Sequence, residues 1–125
     1  TGIGNLLKSS GIESMGDNPI IFALSNPIPE IFPEEIRKAK KNYIFASGRP
    51  DFNNQINNII VFPGVMRGLL DTRIKLNLVL ECKIAGAVAS LVKNPKANYI
   101  IPNPFDKRLL KTIVNCIKRY GKISD

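Results

Sequence analysis

The sequence predicts an α/β fold built on parallel strands. Three observations carry that reading. Ile20 to Leu24 is a continuous apolar run rich in branched residues and bounded by prolines, the pattern of a strand covered on both faces in a parallel sheet. Pro33-Glu34-Glu35 then opens a short helix, with proline in the first turn and acids where the positive end of the helix dipole lies. Tyr43 to Ala46 is a second short apolar run. A strand, a helix and a second strand at this spacing make a right-handed crossover with parallel pairing. Two or three strands are expected in all.

The other elements follow in chain order. Gly4 to Ser9 reads as a short helix, and Gly11 to Asn18 as a polar turn containing Gly16-Asp17. Arg37-Lys38-Ala39-Lys40-Lys41 suits the exposed C-terminal end of the helix after Pro33, where cations meet the dipole. Asn54 to Leu70 reads as helical with a break at Pro63-Gly64. Lys75 to Val92 has apolar positions on most sides and is expected to be a long, largely covered helix. Tyr99 to Ile101 is a short extended piece fixed by Pro102 and Pro104. Asp106 to Tyr120 is an amphipathic helix with the stripe Leu109, Leu110, Ile113, Val114 and Ile117, and Gly121 is placed to stop it.

Composition narrows the function classes. A chain of 125 residues, 44% hydrophobic, is the length of one domain and can bury a core. The net charge of +8 comes from 18 basic and 10 acidic residues. Those basic residues are dispersed and aromatics for base stacking are few, so nucleic acid is not expected as a partner. Cys82 and Cys116 lack the short spacing of a disulfide framework and read as small core residues in a reducing compartment. No secretory signal pattern occupies Thr1 to Ser10, and Leu76 to Val92, interrupted by Glu81 and Lys83, falls short of the ~20 apolar residues of a membrane span. A cytoplasmic protein without a membrane partner is expected. With no histidine in the chain, a histidine base or histidine-ligated metal is excluded within it.

The candidate chemistry is amide chemistry. Asn26 follows the Ile20–Leu24 strand at its carboxyl end, the edge where open parallel sheets bind ligands. The structural alternative is an Asn-Pro turn whose amide bonds local backbone. After Ala46-Ser47-Gly48-Arg49-Pro50-Asp51-Phe52 come Asn53, Asn54, Gln55, Asn57 and Asn58 at a strand-to-helix junction. Such amides are poor helix formers and costly to bury alone, but useful for holding a polar ligand by many donors and acceptors. Capping or loop bracing is the competing role, and it suits Asn53 and Asn54. Gly2-Ile3-Gly4 imitates a dinucleotide fingerprint, yet Leu7 occupies the third glycine position and no strand precedes it.

The string from Ala46 to Asn58, continued by Phe62-Pro63-Gly64-Val65-Met66-Arg67-Gly68, closely resembles the end of the cofactor domain in bacterial malic enzymes, the NAD(P)-dependent decarboxylating malate oxidoreductases. Pro19 to Ile31, with its Ser25-Asn26-Pro27, resembles that family's strand ending in Asn-Pro. Arg67 to Arg73 and Tyr99 to Asp106 are similar to two further segments, in the same order. The resemblance implies the second half of a Rossmann-like parallel sheet followed by C-terminal helices. Residues 1–125 would be the C-terminal portion of the NAD(P)-binding domain, with the strand at Ile20 left unpaired on one edge.

The implied reaction is oxidative decarboxylation of malate to pyruvate and carbon dioxide, with reduction of NAD or NADP. By residue-wise match, Asn26, Asn57 and Asn58 would hold the substrate, and Thr1, Gly2 and Asn26 would lie at the cofactor. Asn53 stands where the family usually has proline, and Pro50 where it usually has a small polar residue. The family's acid and base, its acidic ligands for a divalent metal (Mg or Mn) and its phosphate loop precede the matching region. No catalytic or metal-binding role is therefore transferred to Tyr43, Lys75 or any acid here. The chain alone is expected to be inactive, and to form a homo-oligomer or associate with the missing half. The alternative is a non-catalytic truncated remnant, or a split subunit acting only with a partner.

Overall fold

The structure, a computed structural model, describes residues 2–124. The described residues form α1 (Ser9–Glu13), β1 (Ile20–Ala23), α2 (Pro33–Ala39), β2 (Ile44–Ser47), a 3-10 turn (Asn58–Ile60), α3 (Phe62–Thr72), α4 (Leu78–Ala89) and α5 (Arg108–Ser124). They divide into two compact units, one of residues 2–57 with 96–99 and one of residues 58–95 with 100–124.

The first unit holds the sheet. β1 and β2 pair in parallel, with Ile20 opposite Ile44 and Ala23 opposite Ser47, as the strand–helix–strand spacing requires. Ile21, Ala23 and Phe45 pack with Ile12, Ile31 and Ile36 into one buried cluster. The other face of β1 is open: Ile20 is 59% and Phe22 51% exposed. This corrects the expectation of a strand covered on both faces, because among the described residues nothing covers that side. β1 has no strand on its second edge among the described residues. The first helix also differs from expectation, forming over Ser9–Glu13 rather than Gly4–Ser9. Gly4 is packed instead, since a Cβ there would sit 2.5 Å from Ile28 Cγ2. That contact accounts for the glycine without any phosphate loop. α2 begins at Pro33, and Arg37 and Lys38 in its last turn pair with Glu34 and Glu35.

The second unit is helical. Its core joins Leu80, Ile84 and Val88 of α4 to Leu109, Ile113 and Ile117 of α5, each set spaced four residues apart on one helix face. Leu78, one face away, is 74% exposed, and Cys82 is exposed as well. The long helix is therefore amphipathic in place, not covered all round, and Cys82 is not a core residue. Cys116 is half-buried. Asn77 starts α4, its Oδ1 accepting from the Leu80 N–H at 2.9 Å. Leu110 is exposed, so the α5 stripe is narrower than expected, and the helix runs past Gly121 to Ser124.

α3 meets α5 through glycine. Pro63 lies in the first turn of α3, where its missing N–H costs nothing, and so starts the helix rather than breaking it. Gly64 and Gly68 face α5, and a Cβ at Gly64 would lie 2.8 Å from Ile113 Cβ. At Gly68 the nearest atom is Ile117 Cδ1, the mobile end of a side chain. Asp71 adds ion pairs to Arg67 at 2.9 Å and Lys118 at 3.0 Å, which water and salt screen at the surface. Gly64→Ala is expected to destabilise this unit by ~1–3 kcal/mol despite the helix preference of alanine, because Ile113 Cβ is fixed to its backbone and cannot yield. Gly68→Ala should cost less. Urea denaturation midpoints of the two variants check the order.

Candidate functional site

The carboxyl ends of β1 and β2 lie side by side, and each continues into a polar segment. The backbone after β1 turns through Leu24 to Glu30 and carries a cis peptide between Asn26 and Pro27. Ser25 inside this turn is 4% exposed. Its N–H donates to Glu30 Oε2 at 3.0 Å and its hydroxyl to Glu30 Oε1 at 2.7 Å. Burial works to raise the Glu30 pKa. The Ser25 N–H and hydroxyl outweigh it and draw the value from 4.5 down to about 2. A depressed carboxylate contributes stability that is full above its unfolded value and lost only as pH falls through the folded one. The turn is therefore tied throughout neutral and mildly acid conditions. Asn5 and Leu7 donate backbone N–H groups to Pro29 O and Glu30 O, both at 2.9 Å.

Asn26 sits at the tip of this held turn, exposed, and its amide makes no hydrogen bond among the described residues. The local-backbone role expected of an Asn-Pro turn is absent. Gly2 lies close by, its N–H donating to Ser25 Oγ at 3.1 Å with φ at +75°, a value that suits glycine. Thr1 is outside the described residues.

The segment after β2 is a loop, not the start of a helix. Ile56 N–H donates to Ser47 O at 2.8 Å, and Gln55 bridges Ser47 in parallel. Arg49 binds Asp51 through Nε and Nη2, both at 2.8 Å, and donates from Nη1 to Pro27 O at 3.0 Å. The Asp51 hydrogen bond holds the Arg49 pKa above its ordinary value, and the same bond holds that of Asp51 below. Asn54 is buried with φ at +56°, its Nδ2 donating to Phe45 O and Ala97 O at 2.9 Å each. Asn54 is thus the bracing amide. Asn53 is exposed and makes no hydrogen bond among the described residues.

Asn57 is exposed, with Nδ2 3.4 Å from Gly48 O. The first unit therefore brings Asn26 and Asn57 to adjacent loops at one sheet edge. Asn58 opens the 3-10 turn of the second unit, where its carbonyl accepts from Val61 N–H at 3.1 Å. Asn58 borders a groove of about 420 Å³ lined also by Val61, Phe62, Val65, Leu76, Ile84, Ala85 and the acid Glu81. Both asparagines precede α3, which starts at Phe62, so neither is an α-helix residue.

Sequence reasoning passed over Glu30, Arg49 and Asp51. The available signals were an acid closing a turn between prolines, and an Arg-Pro-Asp triplet directly after the strand. Among the described residues no group of three histidine, cysteine, aspartate or glutamate side chains could hold a metal ion. The divalent cation implied by the sequence resemblance does not fit the described residues. No helix of the described residues is long and apolar enough to cross a membrane.

Amides at the carboxyl edge of a parallel sheet suit a nucleotide-binding fold, and the comparison with known proteins decides which. The sequence profile of the malic enzyme NAD-binding domain matches residues 1–108. The chain belongs to that family. It is 42% identical over 121 residues to the bifunctional malic/malolactic enzyme of Bacillus subtilis, covering 94% of this chain and 29% of that protein. It is 40% identical over 123 residues to the probable NADP-dependent malic enzyme of Rickettsia prowazekii, covering 85% of this chain and 16% of that protein. The crystal structure of the NAD-dependent malic enzyme of Thermotoga maritima superposes with a TM-score of 0.86 at 39% identity, covering 93% of this chain and 30% of that one. The chain thus spans under a third of each of these relatives. The two-stranded parallel sheet and its helices are part of the Rossmann-like domain of malic enzymes, as the sequence resemblance implied.

Proposed function

We propose that residues 1–125 form the C-terminal portion of the NAD(P)-binding domain of a malic enzyme. Such an enzyme oxidises and decarboxylates malate to pyruvate and carbon dioxide. Bound NAD or NADP supplies the hydride acceptor. The observation that carries the reading is Asn26: an exposed amide without a partner among the described residues, on a turn tied by Glu30, at the carboxyl edge of a parallel sheet. An amide both donates and accepts, so it can meet the carboxamide of nicotinamide and an oxygen of malate without adding charge. Asn57 and Asn58 offer the same chemistry to the carboxylate and hydroxyl of the substrate. Thr1 and Gly2 lie on the cofactor side in this reading.

The open face of β1 would associate with a further part of such an enzyme, or with another copy of the chain. Nucleic acid and membrane have no part in the proposal, and the cytoplasm is its setting.

The test is malate-dependent reduction of NAD or NADP by the intact polypeptide that carries this chain, assayed with and without a divalent cation. Asn26→Ala should raise KM for both malate and the nicotinamide cofactor, because one amide serves both. A folded intact polypeptide that binds neither ligand and reduces neither cofactor would overturn the proposal.

A further inference from the structure

The turn that presents Asn26 is held from outside as well as from within. Inside the turn, Glu30 grips Ser25 at both carboxylate oxygens. From outside, Arg49 reaches across from the loop after β2 and donates to the carbonyl of Pro27, the residue next to Asn26, at 3.0 Å. That reach is directed. Asp51 takes Nε and Nη2 in a two-point fork, which fixes the guanidinium plane and leaves Nη1 for Pro27 O. The ring of Phe52 lies 5.7 Å below the guanidinium carbon. The neighbouring Gly48 carbonyl accepts from the Asn57 amide. One residue thus joins the turn that carries Asn26 to the loop that carries Asn57.

We infer that Arg49, oriented by Asp51, is a positioning residue that fixes the Asn26 amide relative to the Asn57 loop. The inference rests on the ligand-binding role proposed for Asn26. Arg49 acts through Pro27 O and meets neither substrate nor cofactor. The competing role for an exposed arginine at a sheet edge is direct capture of an anionic ligand group.

Charge and geometry can be separated. In the intact polypeptide, Arg49→Gln and Asp51→Asn should each lower kcat/KM for malate about tenfold, since small displacements of a binding group cost rate steeply. Arg49→Lys should not rescue, because an ammonium cannot hold the fork and the carbonyl together. In an Asn26→Ala background, Arg49→Gln should cost less than about twofold, because the group it positions is already gone. Thermal melting of each variant alongside wild type confirms folding.

Direct anion capture predicts a different pattern: Asp51→Asn harmless or beneficial, Arg49→Lys substantially active, and full additivity with Asn26→Ala. Any of these overturns the inference. If Asn26→Ala is itself silent, the role of Asn26 has failed instead, which is a separate result.

Discussion

Asn58→Ala in the intact polypeptide is expected to lower kcat/KM for malate by about one to two decades while leaving the KM of the cofactor nearly unchanged. The Asn58 amide makes no hydrogen bond among the described residues, so its removal disturbs no bond of the fold. It stands beside a groove lined mainly by apolar side chains. A ligand oxygen brought to such a wall loses water, and without the amide it stays unpaired, at ~1–3 kcal/mol. Asn53→Ala is the matched comparison: another exposed amide without a partner among the described residues, at a position where the family pattern is broken. It should be nearly silent. Steady-state kinetics on both variants at fixed divalent cation decide the matter. If Asn53→Ala were the more damaging and Asn58→Ala silent, the substrate-wall role would be wrong.

The parts of the fold set by short-range pattern were legible in the sequence. β1 and β2 follow from branched apolar runs, and α2 from proline and acids in one turn. The buried face of α5 follows from the spacing of Leu109, Ile113 and Ile117. What failed depended on what lies beside an element. Five apolar residues in a row cannot reveal that one face of β1 is open among the described residues. An apolar α4 looks covered until Leu78 and Cys82 are found facing out. Pro63 was ambiguous for another reason: proline is a breaker inside a helix and a starter in its first turn, so its meaning turned on where the amide-rich loop ended.

The site divides in the same way. Asn26 could be found from its place after a strand. The bonds that hold its turn could not, because Arg49 and Pro27 are 22 residues apart and only the parallel pairing brings them together. The sequence set Asn53 and Asn54 apart as bracing amides but could not tell which of the two braces. Backbone conformation separates them, because Asn54 alone among them has positive φ and turns its side chain inward.

That distinction makes Asn54→Ala the substitution expected to cost most in stability, at ~3 kcal/mol. The Asn54 amide donates to two carbonyls, Phe45 O in β2 and Ala97 O in the Lys96–Tyr99 segment that completes the first unit. Alanine leaves the buried Phe45 O short of a donor, at ~1–3 kcal/mol for a buried group left unsatisfied, while Ala97, an exposed residue, can turn its carbonyl to water. It also keeps a Cβ in a left-handed conformation without the polar side chain that makes asparagine tolerable there. Asn54→Gly isolates the first effect, since glycine adopts φ near +56° freely, and it should recover about 1 kcal/mol of the loss. Chemical denaturation gives the totals. Amide exchange at Ser47 and Ile56, whose N–H groups join the loop to the end of β2, gives the local effect. Both variants should expose those two amides while sparing α3 to α5. Wild-type exchange at Ser47 in Asn54→Ala would mean that the loop is held by its Arg49–Asp51 fork and backbone bonds alone, with the buried amide contributing nothing.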